Sequence, residues 1–279
     1  MSGERQDRAY DVAAKAYREI LRERKPEDSR LLEQSEASQV LEVKGTYDHI
    51  GSVLRATGVP FISASPGGLD EVDWNRVEVA WVNCPGCLPQ GEIELIAEWV
   101  RAGGYLGTTD WALKHLLEPA FPRKVRHNGG AIPDCVVKVE AVAESPLLAG
   151  FIEDGRDPLW WMESSSFPCT VLDPAVRVLL KSSEVGSQFG ADAIVVEWDE
   201  GRGKVLHMVS HLYLQRSEVR NSRDRASAKS YFEESGFRGS QASMLAAGAG
   251  DLTASELKSA FTSASLATEL MLEKKRRGR

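Results

Sequence analysis

The 279-residue chain holds only four cysteines, too few and too scattered for the disulfide framework of a small secreted domain. It also lacks any apolar run approaching the ~20 residues that a membrane-spanning helix needs. Its first residues, MSGERQDRAYDVAAKAY, carry no apolar segment of the secretory kind. These absences together predict a protein of the reducing cytoplasm. A basic surplus is missing as well. Lys and Arg number 34 against 41 Asp and Glu, giving a formal net charge of -7 and a pI near 5.4. That balance argues against a dedicated nucleic-acid binder. The one basic run, Lys274 to Arg279, is terminal and complements the dipole of a closing helix. Repeats and extended low-complexity segments are absent too. What remains, 42% apolar and 27% charged residues, is the composition of a folded globular protein, enough for one large domain or a domain with appendages.

The most informative stretch is Glu94–Leu117. Leu95, Ile96, Trp99 and Val100 recur at helical spacing, and Gly103-Gly104 stop the helix. Tyr105 to Thr109 is short and β-prone, and Asp110 stands where it can cap a second helix, Trp111–Leu117. A strand running directly into a helix marks the edge where parallel α/β sheets put their chemistry. The same alternation precedes it. Val40–Val43 reads as a strand, Tyr47–Thr57 as a helix ended by Gly58, and Val59–Ile62 as a strand. Glu78–Asn83 is a buried strand that runs into Cys84-Pro85-Gly86-Cys87.

Further strands are expected at Cys135–Val142, Leu159–Glu163 and Val176–Leu180, and a β-hairpin at Ala193–Trp198 and Gly203–Val209 around Gly201. The hairpin leads into Ser210–Arg216. At the start, Tyr10–Glu23 carries a thin apolar stripe (Val12, Ala16, Ile20, Leu21), fit to lie on a core or a partner. At the end, Thr253-Ala254-Ser255-Glu256 is a capping box. It opens a helix with Leu257, Phe261, Leu266, Leu270 and Met271 on its buried side. The expected fold is α/β, a flavodoxin-like three-layer sandwich with a mainly parallel sheet, a β-hairpin extension and helical appendages at both ends. Its parts are a helical extension over 1–38, the α/β domain over 39–216, a mobile polar loop over 217–250 and a C-terminal helix over 251–279.

Three motifs, in order, resemble the class I glutamine amidotransferase-like superfamily, nearest to its ThuA-like (trehalose-utilisation-like) branch. They are the strand with Asn-Cys-Pro-Gly at Val82–Gly86, the helix-Gly-Gly-Tyr-Leu-Gly-Thr-Thr-Asp run at Trp99–Asp110, and the hairpin from Gly201 through His207 to His211. The resemblance spans roughly Val40 to Arg216 and the last helix, and it implies a nucleophile elbow after the strand ending at Thr109. The family's elbow is Gly-x-Cys-x-Gly. Here Gly107-Thr108-Thr109-Asp110-Trp111 puts Thr109 in the position of the Cys. The family's His is followed two residues later by a Glu, whereas His211 is followed by Leu212 and Tyr213. Glutamine hydrolysis by the family mechanism is therefore not expected.

The candidate catalytic residues are Asp110, His211, Thr109 and Cys84, and the candidate ligand-binding residues are Asn83, Gly86, Thr108, Trp111, Glu163, Gln215 and Arg216. Asp110 is a helix cap or a carboxylate at a pocket mouth. His207 reads as a packed strand residue and His211 as a polar group at the sheet's carboxyl edge. Glu163 is a pocket carboxylate or a cap, and of Trp160 and Trp161 one is expected in the core and the other toward the pocket. No metal or cofactor is expected, because Cys135, Cys169 and His211 lack the paired spacing of a zinc site. The leading expectation is a non-catalytic amidotransferase-like module that binds a small ligand or a protein partner, with membrane and nucleic acid set aside. The alternatives are a hydrolase using Asp110 or Thr109 with His211, and a thiol redox protein using Cys84 and Cys87.

Overall fold

A computed structural model of the chain describes residues 2–148, 159–163, 165–212, 227–234 and 240–278. The central sheet begins with β1 (Val40–Val43), β2 (Ile62–Ala64), β3 (Val79–Val82) and β4 (Tyr105–Thr109). All four are mutually parallel, in the spatial order β2-β1-β3-β4. β1, β3 and β4 are buried at every position, the near-continuous apolar pattern of strands covered on both faces. β12 (Gly203–Met208) pairs parallel to β4, and antiparallel strands extend the sheet beyond it: β11 (Ala193–Glu200), β10 (Arg177–Lys181) and β7 (Glu140–Ala141). The result is a mixed α/β sandwich with a mostly parallel centre.

The β11–β12 hairpin turns on Gly201 and Arg202, with Glu200 paired to Gly203. Gly201 has φ +60, and a Cβ there would sit 2.6 Å from the Arg101 carbonyl oxygen, so the turn needs glycine twice over. Two short strands that the sequence pattern does not mark, β5 (Val125–His127) and β9 (Cys169–Val171), pair with each other beside β11. The strand expected over Cys135–Val142 is broken. Its first part, β6 (Cys135–Lys138), leaves the main sheet and pairs with β8 (Leu159–Met162) as a separate ribbon.

Helices α3 (Ile50–Thr57) and α4 (Gln90–Arg101) are the crossovers between parallel strands. A single turn, α5 (Glu118–Ala120), leads toward β5. A helix absent from the expectations, α6 (Ser183–Phe189), is capped by the Ser182 side chain and closed by Gly190 in the left-handed region. The terminal helices depart furthest from expectation. α1 runs over Ser2–Arg24, and α2 (Pro26–Glu33) follows it. The stripe of α1 is broad, not thin, because Ala9, Tyr10, Ala13, Ala14 and Tyr17 are buried with Val12, Ala16 and Leu21. It lies on α3 and on α9 (Ala254–Arg277). α9 is buried on all sides along most of its length, where one apolar side was expected. Its other faces are mostly Ala, Ser and Thr, small enough to admit neighbouring backbones, with Glu269 and Glu273 buried among them. Hydroxyls of Thr262, Ser263 and Thr268 donate to carbonyls one turn back and so need no outside partner. The Thr253–Glu256 capping box is present. These contacts make α1 and α9 one helical layer of the sandwich, and the partner-binding inference from a thin first helix loses its basis.

The mobile loop expected over 217–250 also needs correction. Its described residues include helices α7 (Ala228–Glu234) and α8 (Ser240–Ala249), with Phe232, Ala242 and Leu245 buried. Alanine-rich composition supports helix even where polar residues blur the apolar period. Among the described residues, no helix is long and apolar enough to cross a membrane.

Candidate functional site

Strand register assembles the site. Val82 lies beside Thr108 in the β3–β4 pairing, so Asn83 and Cys84 leave the sheet next to Thr109 and Asp110. Met208 lies beside Thr109 in the β4–β12 pairing, so the chain beyond β12 reaches His211 one strand away from Asp110. The β6–β8 ribbon adds Glu163, and it is fastened to the exit of β12. The Trp160 indole donates to the Val209 carbonyl at 2.8 Å, and the Ser210 hydroxyl donates to the Trp161 carbonyl. Parallel strands lie ~4.8 Å apart, so side chains at neighbouring carboxyl ends share one volume. The order β2-β1-β3-β4 also puts a topological switch point between β1 and β3, where open α/β sheets form crevices.

His211 is the centre of the cluster. Its Nδ1 lies 3.2 Å from Glu163 Oε2, and its Nε2 lies 3.5 Å from Asp110 Oδ2. Cys84 Sγ, an Asp110 oxygen and a His211 ring nitrogen all lie within 4.8 Å of one another, and all three residues are buried. Asp110 sits at a sharp bend, with φ +42, in the left-handed region that a non-glycine residue rarely occupies. Its carboxylate accepts the Phe167 N–H at 2.8 Å and the Ser166 hydroxyl at 2.9 Å. The backbone around His211 is held from two sides. Asp48 Oδ2 accepts the Leu212 N–H at 3.3 Å, and the Tyr10 hydroxyl of α1 donates to the Leu212 carbonyl at 2.7 Å.

Electrostatics follow from burial and proximity. Burial lifts the Asp110 carboxyl to about 6, although His211, the Phe167 N–H and Ser166 oppose the rise. Burial alone would lower the His211 imidazolium. The Cys84 and Glu163 side chains and the charges of Asp48 and Asp110 outweigh it and raise the group to about 11. Burial pushes the Cys84 thiol up, against the pull of His211 and the Trp111 backbone N–H. An aromatic wall flanks the site. Trp111 stacks on Phe167 with centroids 5.2 Å apart, Phe167 stacks on His127 at 3.9 Å, and exposed Tyr47 meets the edge of Trp111 at 5.2 Å.

No family model matches the sequence, and no curated protein does. Solved structures give distant likenesses. A β-galactosidase from Rahnella sp. R3 is 14% identical with a TM-score of 0.46, over 63% of this chain and 29% of that one. A cytoplasmic protein from Salmonella typhimurium is 15% identical with a TM-score of 0.44, over 62% and 88%. A candidate GMP synthase component from Thermoplasma acidophilum is 10% identical with a TM-score of 0.46, over 63% and 84%. The chain thus spans under a third of the length of the β-galactosidases it matches. TM-scores this low carry nothing about activity.

The structure brings Cys84, Asp110, Glu163 and His211 together, but not in the expected roles. Asp110 does not cap the following helix. That segment is a π-helical turn, Leu113–Leu117, with no side-chain cap, and the carboxylate turns instead to Ser166, Phe167 and His211. The bend falls on Asp110, not Thr109. The Thr109 hydroxyl points back to accept the Cys84 N–H at 3.1 Å. Thr108 faces inward, 2.9 Å from His207 Nδ1. Asn83 is structural: its side chain accepts the Ile50 N–H at 3.1 Å and donates to Glu42 at 3.2 Å. Gly86 has φ +70 and packs so tightly on Ala112 that a Cβ would meet it at 2.7 Å. Trp160 and Trp161 are both buried, so neither lines an open pocket. Cys84 is buried and Cys87 exposed, both free thiols, and burial holds the Cys84 pKa up where a redox pair requires it lowered. Gln215 and Arg216 lie outside the described residues.

Sequence reasoning missed Asp48, Ser166 and Phe167. Asp48 carried a usable signal, since it follows β1 at the sheet's carboxyl edge, but the apolar period of α3 masks it. Ser166 and Phe167 belong to a return segment with no periodic pattern. A separate cavity of about 570 Å³, lined by Arg101, Phe121, Lys124, Asp173 and Glu200, lies by the opposite strand ends. Two ion pairs line it, Lys124 to Asp173 at 2.7 Å and Arg101 to Glu200 at 3.2 Å, with Arg123 beside them.

Proposed function

We propose that this chain is a small-ligand-binding module on a flavodoxin-like, amidotransferase-like scaffold, and that it does not hydrolyse glutamine. One observation carries the reading. The bend after β4, where the resembled family holds its nucleophile, carries Asp110, and both of its oxygens are engaged by Phe167 and Ser166. A carboxylate held in this way is a fixed polar anchor. The ligand's site is the carboxyl edge of the sheet, with Asp110 and His211 as anchors and Trp111 and Tyr47 as its wall, a common composition for small-molecule sites. The test is thermal-shift screening of the metal-free protein against amines, sugars and carboxylic acids, beside an assay for ammonia release from glutamine. A binder should raise Tm in the wild type but not in Asp110→Asn or Trp111→Ala, with no glutamine turnover. Turnover that disappears in Cys84→Ala would overturn it.

A second reading is supported by the Glu163–His211 contact at 3.2 Å. It is a hydrolase in which Glu163 orients His211 and Cys84 is the nucleophile, the logic of a Cys-His-carboxylate triad. It ranks second because burial keeps the Cys84 thiol protonated, whereas an attacking thiolate needs a lowered pKa. Ester hydrolysis lost in both Cys84→Ala and His211→Ala would move it to first place.

A further inference from the structure

We propose that Cys84, Asp110 and His211 bind a divalent transition-metal ion, zinc being the ion their donor set suits best. The inference rests on the ligand-binding reading and adds a metal ion to that same site. Thiolate, imidazole and carboxylate together are the borderline donor set of zinc, whereas magnesium and calcium take oxygen ligands. The three donor atoms lie within 4.8 Å of one another and are buried. Bond lengths of 2.0–2.3 Å put the ligand atoms of a tetrahedral zinc site about 3.3–3.7 Å apart. The Asp110–His211 separation of 3.5 Å already matches that edge. The remaining closure is about 1 Å, within the reach of side-chain rotation.

A second observation points to a ligand. His211 is only 6% exposed, and its Nε2 makes no hydrogen bond but is aimed at the Asp110 carboxylate, 3.5 Å away, and at Cys84. The other ring nitrogen is engaged by Glu163, so the carboxylate–histidine pairing that orients a metal-bound imidazole is in place. Asp110 is steadied by Ser166 and Phe167, which occupy part of its capacity and leave lone pairs for a metal. Three protein ligands leave a fourth position for water or a small molecule, the arrangement of zinc sites that accept a ligand.

The experiment is titration of the chelator-stripped full chain with Co²⁺ under anaerobic conditions. Expected are binding of a single equivalent, a thiolate-to-cobalt charge-transfer band, tetrahedral-type visible bands, and displacement of the cobalt by Zn²⁺. Cys84→Ser should lose the charge-transfer band. Glu163→Gln should keep it with affinity weakened about 10- to 100-fold. Cys87→Ser, at an exposed thiol, should change nothing. Zinc X-ray absorption on the wild type checks the site without any variant and should show one sulfur scatterer. A folded wild type with no charge-transfer band overturns the proposal, as does a band that survives Cys84→Ser or disappears in Cys87→Ser. If organic ligands shift Tm while cobalt does not bind, the metal proposal falls and the ligand-binding reading stands.

Discussion

His207 should make this protein acid-sensitive in a calculable way. It lies on β12 between β4 and β11, fully buried, with Nδ1 2.9 Å from the Thr108 hydroxyl and Nε2 without a partner. Burial depresses its pKa from 6.5 to about 3, with the Thr108 backbone opposing weakly. Between those values the unfolded chain binds a proton that the folded chain does not. Stability is therefore full above the unfolded value and declines as pH falls from 6.5 toward 3. At pH 4.5 the imidazole is about two pH units below its unfolded pKa, and at ~1.36 kcal/mol per unit the loss is on the order of 2–3 kcal/mol. The assay is urea unfolding of the wild type and His207→Asn at steps between pH 7 and pH 4.5. Asparagine leaves a void and lowers stability by an amount that does not depend on pH, so the slope isolates the titration. The stability gap should narrow by about 2–3 kcal/mol across that range. Parallel curves would refute the reasoning, since both proteins would then share the same proton uptake.

Lys204 is buried, with Nζ 2.9 Å from Glu197 and 3.4 Å from Glu273, so Lys204→Met leaves two buried carboxylates short of a partner. Arg177 and Arg277 still reach them, which holds the expected loss to about 3 kcal/mol by denaturant unfolding. Loss below about 0.5 kcal/mol would show that Lys204 is not needed there. Gly201→Ala forces a side chain onto φ +60 and against the Arg101 carbonyl, and should cost about 1–3 kcal/mol with a lower Tm. An unchanged Tm would mean that the hairpin turn relaxes freely. Thr253→Ala removes the cap of α9 and should cost about 1 kcal/mol. A cost near zero would show that packing alone fixes the start of that helix.

The alternation from β1 to β4 was legible because those strands are short apolar runs and the intervening helices end on Gly58 and Gly103-Gly104. The site's residue types were legible for a related reason: they stand just past the ends of buried strands. Their pairing was not. That Glu163, not a residue after His211, engages the imidazole depends on a ribbon whose strands, β6 and β8, pair across a gap in sequence. A π-helical turn leaves the same apolar pattern as a helix over five residues, so nothing in Trp111–Leu117 revealed that Asp110 would turn away from it. Alanine and serine hid the all-round burial of α9, because small residues contribute little to an apolar period.

At this sheet edge, what one strand lacks its neighbour can supply. A family motif is read along one strand, and along β4 the position holds no cysteine. Chemistry is read across strands, and the neighbouring strand, β3, leads into Cys84, whose sulfur lies within 4.8 Å of the Asp110 and His211 ligand atoms. Sulfur, imidazole and carboxylate therefore share this edge. A thiol at an elbow sits on an exposed bend where an adjacent base can ionise it, whereas Cys84 is buried and burial favours its proton. A metal ion is what turns such a thiol into a thiolate without any need for exposure, since coordination deprotonates it outright. The placement of Cys84 just after β3 thus supplies the third donor of the proposed metal site.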